Sequence, residues 1–141
     1  MAVYADQRRW DDLAGIFAEH IDLDYTSLTG GEPGPVPRAG LIAGWRDQLG
    51  GLDATQHLIA DFLVTTAGDE ATVTAGFQAT HLLDNPHGER LWVLGGDYRF
   101  GLSREAGAWR ITALTMTARW ATGNQHIMTL AADRARAAGG S

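Results

Sequence analysis

The chain has 141 residues, 45% of them hydrophobic and 20% charged, which suits one globular domain able to bury about two-thirds of its unfolded surface. It contains no cysteine, which excludes disulfides and thiolate metal sites and agrees with a reducing compartment. A net charge of −6 and the lack of any Lys/Arg block argue against nucleic acid or an anionic membrane as partner.

No run approaches the roughly 18 apolar residues of a membrane span, and no basic segment followed by an apolar one opens the chain. A single cytoplasmic domain over residues 1–141 is expected. Trp10, Leu13, Phe17 and His20, with Ile16 beside them, recur at helical spacing and predict a helix over residues 3 to 20. One turn further back the apolar stripe reaches Asp6, while Arg8, Arg9, Asp11, Asp12 and Glu19 fall elsewhere on the wheel. An acid there is either a first-turn residue favoured by the helix dipole or a carboxylate turned toward the interior. Ile21-Asp22-Leu23-Asp24-Tyr25 alternates and predicts a short strand with Tyr25 on its apolar side. Residues 27 to 37 crowd Gly30, Gly31, Gly34, Pro33, Pro35 and Pro37 together, which predicts a loop without regular structure, long enough to act as a lid. Helix returns over residues 38 to 49, with Leu41, Ile42, Trp45 and Leu49 on one side and Gly50-Gly51 as its stop.

From residue 55 the period changes to two. Strands are predicted over about 56–66, 71–84, 90–102 and 108–120, separated by the short turns Ala67-Gly68-Asp69-Glu70, Asn85-Pro86-His87-Gly88 and Arg104-Glu105-Ala106-Gly107. Neighbouring strands are therefore expected to be antiparallel. Glycines at 76, 95, 96 and 101 mark bends in a strongly curved sheet. Ile127, Met128, Leu130 and Ala131 predict a short final helix over residues 125 to 137.

Within the second of these strands Val73, Ala75, Phe77, Ala79, His81 and Leu83 share one face, which buries His81 among apolar neighbours. A histidine so placed is more often a hydrogen-bonded core residue than a catalyst. His57 lies on a strand that is apolar on both faces, so periodicity alone does not place it. Two-sided apolarity over residues 57–65 also points to a covered outer face, most simply by another copy of the chain, so a homodimer or higher homo-oligomer is expected. His87 belongs to a turn, His20 to a helix end, and His126 to the start of the last helix. No H-x-x-x-H, H-E-x-x-H, G-x-S-x-G or phosphate-binding loop occurs, so neither a metal nor a nucleotide is expected.

Taken in order, Asp6-x-x-x-Trp10-Asp11-x-Leu13, Asp24-Tyr25-x-Ser27, Thr55-Gln56-His57-x-Ile59, His81, and a last strand from Trp109 to Arg119-Trp120 resemble the SnoaL-like, nuclear transport factor 2-like superfamily. Within it the pattern is most similar to scytalone dehydratase and related Asp/His lyases. The resemblance implies an α+β fold, the NTF2-like cone, in which N-terminal helices wrap a curved antiparallel sheet. It implies an Asp6–His57 dyad, Tyr25 polarising a substrate carbonyl, and His81 lining the pocket, with no cofactor. A small hydrophobic substrate would then lie against Trp92, Leu94, Tyr98, Leu114, Met116 and Trp120.

The chain departs from the dehydratase pattern where Ala5 replaces a tyrosine and where Gly96 and Tyr98 replace a serine and an asparagine. A less polar ring is therefore expected: a cyclic, aromatic or polyketide-like carbonyl compound undergoing dehydration or isomerisation. Two alternatives stand beside this lyase reading. A non-catalytic binding or scaffold protein on the same fold needs no dyad. An epoxide hydrolase of the limonene type needs an Asp-Arg-Asp arrangement, and Asp97 and Arg99 point outward if Tyr98 lines the cone.

Overall fold

The computed structural model describes residues 1–140. The elements run α1 (Ala2–Asp6), α2 (Trp10–Gly15), β1 (Phe17–Asp24), α3 (Thr26–Thr29), β2 (Gly34–Pro37) and α4 (Arg38–Leu49). They continue with β3 (Ala54–Ala67), β4 (Glu70–Leu82), β5 (Leu91–Glu105), β6 (Ala108–Gly123) and α5 (Ile127–Gly139).

The stretch expected as one helix over residues 3 to 20 is three elements. Arg8 adopts a left-handed φ of 59°, which ends helical hydrogen bonding, and the Arg9 amide reaches back to the Tyr4 carbonyl at 2.8 Å. From Phe17 the backbone is a strand, with Phe17 and Ile21 fully buried while Glu19, His20 and Asp22 are exposed. His20 therefore lies within β1 and not at a helix end. Pairing decides the matter. β1 runs parallel to β6, with Phe17 opposite Ile111 and Leu23 opposite Leu114, and Ile111 donates its amide to the Ile16 carbonyl at 2.9 Å. The loop expected over residues 27 to 37 is also partly regular. It holds α3 and then β2, an edge strand antiparallel to β1 whose two prolines need no ladder donor there.

Together the strands form one curved, unclosed sheet in the order β2-β1-β6-β5-β4-β3, and β3 to β6 are consecutive and antiparallel as expected. The β5–β6 hairpin turns on Ala106 and Gly107, both at positive φ (50° and 78°), the pairing a tight two-residue turn requires. The inner face of the sheet carries Phe77, Ala79, Leu94, Phe100, Leu114 and Met116, all buried. Leu13, Leu41, Ile42 and Ile127 from the helices close over that face. Gly51, after α4, lets α5 approach so closely that a Cβ there would sit 1.8 Å from the Ala131 carbonyl oxygen.

Bulges give the sheet its curvature and redirect its side chains. In β3 the register shifts between Ala60 and Leu63, with Asp61 at a left-handed φ of 57°. In β5–β6 it shifts at Gly95/Gly96, where Gly95 faces Trp120 and Gly96 faces Ala118, leaving Arg119 as the extra residue. The second shift turns Trp120 to the outer face, over Gly95.

Candidate active site

Between the inner face of the sheet and the helices lies a cavity of about 550 Å³. Its wall is mostly apolar, and its polar side chains come from β3, β4 and β5, from α3 with the residue before it, and from Gln48 of α4.

His57 reaches it from β3. Register places His57 opposite Ala79 and Ile59 opposite Phe77, so both point inward, which the two-sided apolarity of this strand left open. Asp6, the last residue of α1, packs against the same strand. Its Oδ1 lies 2.7 Å from His57 Nδ1, and its Oδ2 accepts the His57 backbone amide at 2.8 Å. An ionised carboxylate only accepts, so Nδ1 is the protonated ring nitrogen and Nε2 carries the lone pair. Burial by itself would push the Asp6 carboxyl up, but the His57 ring and backbone hydrogen bonds, the His57 charge and the Thr55 hydroxyl outweigh it and hold it below the usual carboxylate range. The helical stripe that pointed to Asp6 was right about its direction. The physical reason is different: α1 ends there and turns the carboxylate onto β3.

His81 is 4% exposed, and its Nδ1 donates to the Trp92 carbonyl at 3.1 Å while its ring lies against the Trp92 indole, centroids 4.9 Å apart. Burial is the main cause that drives its pKa down to about 4, so it is a neutral imidazole at neutral pH. It sits edge-on to His57, with ring centroids 5.9 Å apart.

Tyr25 is held between β1 and α3. Asp24 Oδ1 accepts from the backbone amide and hydroxyl of Thr26, at 3.0 and 2.7 Å, which fixes the turn out of the strand. Ser27 then pins α3 to β6, donating to the Met116 carbonyl and accepting from the Ala118 amide, both at 2.9 Å. The Tyr25 phenol meets that of Tyr98, which is stacked on Phe77 with centroids 4.3 Å apart. Burial pushes both phenols up, Tyr98 to about 12, so both remain protonated donors.

Of the expected wall residues, Trp92, Leu94, Tyr98 and Met116 line the cavity. Leu114 is fully buried in the packing behind it. Trp120 stands on the other side of the sheet, 49% exposed over Gly95, because the extra residue at Arg119 reverses the alternation of β6. Asp97 and Arg99 are also on the outer face, with Asp97 paired to Arg119, so they assemble no Asp-Arg-Asp site. Periodicity missed the opposite wall, where α4 contributes Leu41, Gly44, Trp45 and Gln48. Leu41 and Trp45 belong to the apolar stripe predicted for this helix, while Gly44 and Gln48 stand outside that stripe. Among the described residues no group of three or more His, Asp or Glu side chains is arranged to hold a metal ion.

A curved sheet closed by N-terminal helices around such a cavity is the SnoaL-like arrangement, and residues 1–115 match the SnoaL-like domain family, to which the chain belongs. It is similar over 96% of its length to the Kfla4162 protein of Kribbella flavida, with 29% identity, a TM-score of 0.82 and 88% of that chain covered. A Novosphingobium aromaticivorans protein named for scytalone dehydratase shares the fold at 18% identity and a TM-score of 0.73, over 88% of this chain and 80% of that one. A hexachlorocyclohexane dehydrochlorinase shares it at 14% identity and a TM-score of 0.72, over 86% and 79%. An uncharacterized Mycobacterium tuberculosis protein is 38% identical over 68 residues, a match that covers 48% of this chain and 44% of that protein's length.

Proposed function

We propose that the protein is a cofactor-independent lyase, a dehydratase, or an isomerase acting on a small cyclic, aromatic or polyketide-like carbonyl compound. The observation that carries this reading is the 2.7 Å contact between Asp6 and His57 at the wall of a largely apolar cavity. With Nδ1 committed to the carboxylate, Nε2 is the nitrogen left to take a proton, and Asp6 stabilises the imidazolium that results. In the proposed step His57 Nε2 removes a proton from the carbon next to the carbonyl. The C–H electron pair moves toward the carbonyl oxygen, where the Tyr25 hydroxyl donates to the developing enolate. Collapse of the enolate expels the β-hydroxyl, which takes a proton from the imidazolium and leaves as water. In an isomerisation that proton returns instead to another carbon. Two fold neighbours, named for a dehydratase and a dehydrochlorinase, carry the names of eliminations, and a third is named for an aromatic ring hydroxylase.

The wall also constrains the substrate's charge. Among the described residues no Asp, Glu, Lys or Arg side chain lines the cavity, and a buried charge without a partner is costly. An uncharged compound with a single strong acceptor fits best, since the Met1 α-amino group is the one formally cationic group, histidines aside, on the described lining residues. The test is a panel of uncharged β-hydroxy ketones beside their carboxylated analogues. Turnover is expected only with the first group, and His57→Ala should cut it by about 10²–10⁴, the usual worth of a positioned base. Full turnover in His57→Ala on the true substrate would overturn this mechanism.

A further inference from the structure

The geometry points to Arg8 and Thr55 as positioning residues that orient the Asp6 carboxylate, and through it the His57 ring, for the proton transfer proposed above. Three observations support this. First, the hydrogen bonds run in one direction. Arg8 Nη1 donates to Thr55 Oγ1 at 2.8 Å and to the Ala5 carbonyl at 3.0 Å, and Thr55 Oγ1 lies 3.0 Å from Asp6 Oδ1. A guanidinium only donates, so the Thr55 hydroxyl proton cannot point toward Arg8 and is directed to Asp6. Second, Arg8 holds this place at the expense of its backbone. It is one of three non-glycine residues at positive φ among the described residues, and its 59° turn folds the side chain back over the end of α1. Third, Thr55 and His57 stand on the same face of β3, two residues apart, with Thr55 opposite His81.

The consequence is a carboxylate fixed before the imidazole meets it. Oδ2 is tied by the His57 backbone amide and Oδ1 by Thr55, so Oδ1 has one remaining direction, and the His57 Nδ1–H fills it. That arrangement admits one ring tautomer and one ring orientation. The titratable and charged groups that act on this carboxylate or feel its charge are His57, His81, Arg8 and Tyr98. None of them donates to it from the side that Thr55 occupies.

The inference rests on His57 acting as a base, but its test has arms that need no substrate. Thr55→Val removes the hydroxyl at nearly constant volume, Thr55→Ser restores it, and Arg8→Asn removes the guanidinium with a residue type that tolerates left-handed backbone. In isotope-labelled protein, NMR reads the Asp6 carboxyl titration and the His57 ring tautomer. Thr55→Val should move the Asp6 midpoint upward and mix the two His57 tautomers, Arg8→Asn should do the same to a smaller degree, and Thr55→Ser should match the parent. With a substrate in hand, kcat in Thr55→Val should fall about 10–100-fold, the worth of one hydrogen bond to a charged group, with KM little changed. An unchanged Asp6 midpoint and a single His57 tautomer in folded Thr55→Val would overturn the inference, even if His57→Ala abolishes turnover. Shifted NMR signals in a protein that turns nothing over would sustain the relay and remove the lyase reading alone.

Discussion

Asp6 and His57 form a pair in which each residue determines the state of the other. The carboxylate dictates which imidazole nitrogen carries the proton, and the imidazole donor helps hold the carboxyl ionised despite its burial. Replacing Asp6 with Asn keeps the shape but allows an amide N–H to face Nδ1, which favours the wrong tautomer. Turnover should drop by about 10²–10⁴, as for tautomer-controlled bases elsewhere, while the denaturant midpoint changes little. Tyr25→Phe should cost about tenfold, because one hydrogen bond to the carbonyl is lost and Tyr98 remains beside it. His81 calls for a different measurement. Its folded pKa of about 4 lies below the ordinary imidazole value of 6.5, so between those limits the unfolded chain binds more protons. Stability is therefore complete above pH 6.5 and lost as pH falls toward 4, by about 3 kcal/mol at most. His81→Asn retains a donor for the Trp92 carbonyl without the titration, and urea melts across this range should come out flatter than those of the parent. At this scale the residue types of the site were legible. Arg8 and Thr55 were not read as partners of Asp6, because their contacts come from a reversed turn and not from any periodicity.

Among the elements, the four-strand meander was readable because short turns separate long alternating runs, and each alternation has only one apolar solution in β4. β1 was misread because Trp10, Leu13, Phe17 and His20 satisfy helical spacing, whereas pairing to β6, about ninety residues away, decides the backbone. Trp120 failed for a related reason. One extra residue at Arg119 inverts every side chain beyond it, and Gly95, which makes room for the indole, was read only as a bend. Two further glycines have opposite surroundings. Gly51→Ala would press a methyl group against the Ala131 backbone and should destabilise the fold by about 1–3 kcal/mol, since backbone cannot yield as a side chain can. Gly44 lies inside α4 with nothing within 4 Å of an added Cβ, so Gly44→Ala should stabilise by about 0.5–1 kcal/mol. Equilibrium unfolding of the two variants side by side checks both signs. A neutral Gly51→Ala would mean that α5 is not seated against this turn.

The molecule as a whole has two unlike faces. One side of the sheet is covered by helices and encloses the cavity; the other has no layer of its own chain upon it. There Leu58, Leu63 and Trp120 are 56%, 73% and 49% exposed, with the Asp97–Arg119 ion pair and Arg99 beside them. Leu58 and Trp120 stand in one row across the sheet, with Gln78 and Gly95 between them, and Leu63 lies in a neighbouring row opposite Thr74. A lone exposed leucine needs no explanation, but several large apolar side chains on one uncovered sheet face mark a candidate interaction surface. A second copy of the chain is the expected cover. A two-fold axis lying in the interface, parallel to the sheet, would lay each outer face on its counterpart. Sedimentation at micromolar concentration should then show a homodimer or higher homo-oligomer. Leu58→Lys together with Trp120→Lys should yield a monomer, since two ammonium groups on each copy would face their counterparts across a desolvated surface. Both residues lie on the face opposite His57 and Tyr98, so the double variant should retain the cavity and its tyrosine titrations. A strictly monomeric parent protein under those conditions would contradict this assembly and leave the apolar face to a different partner.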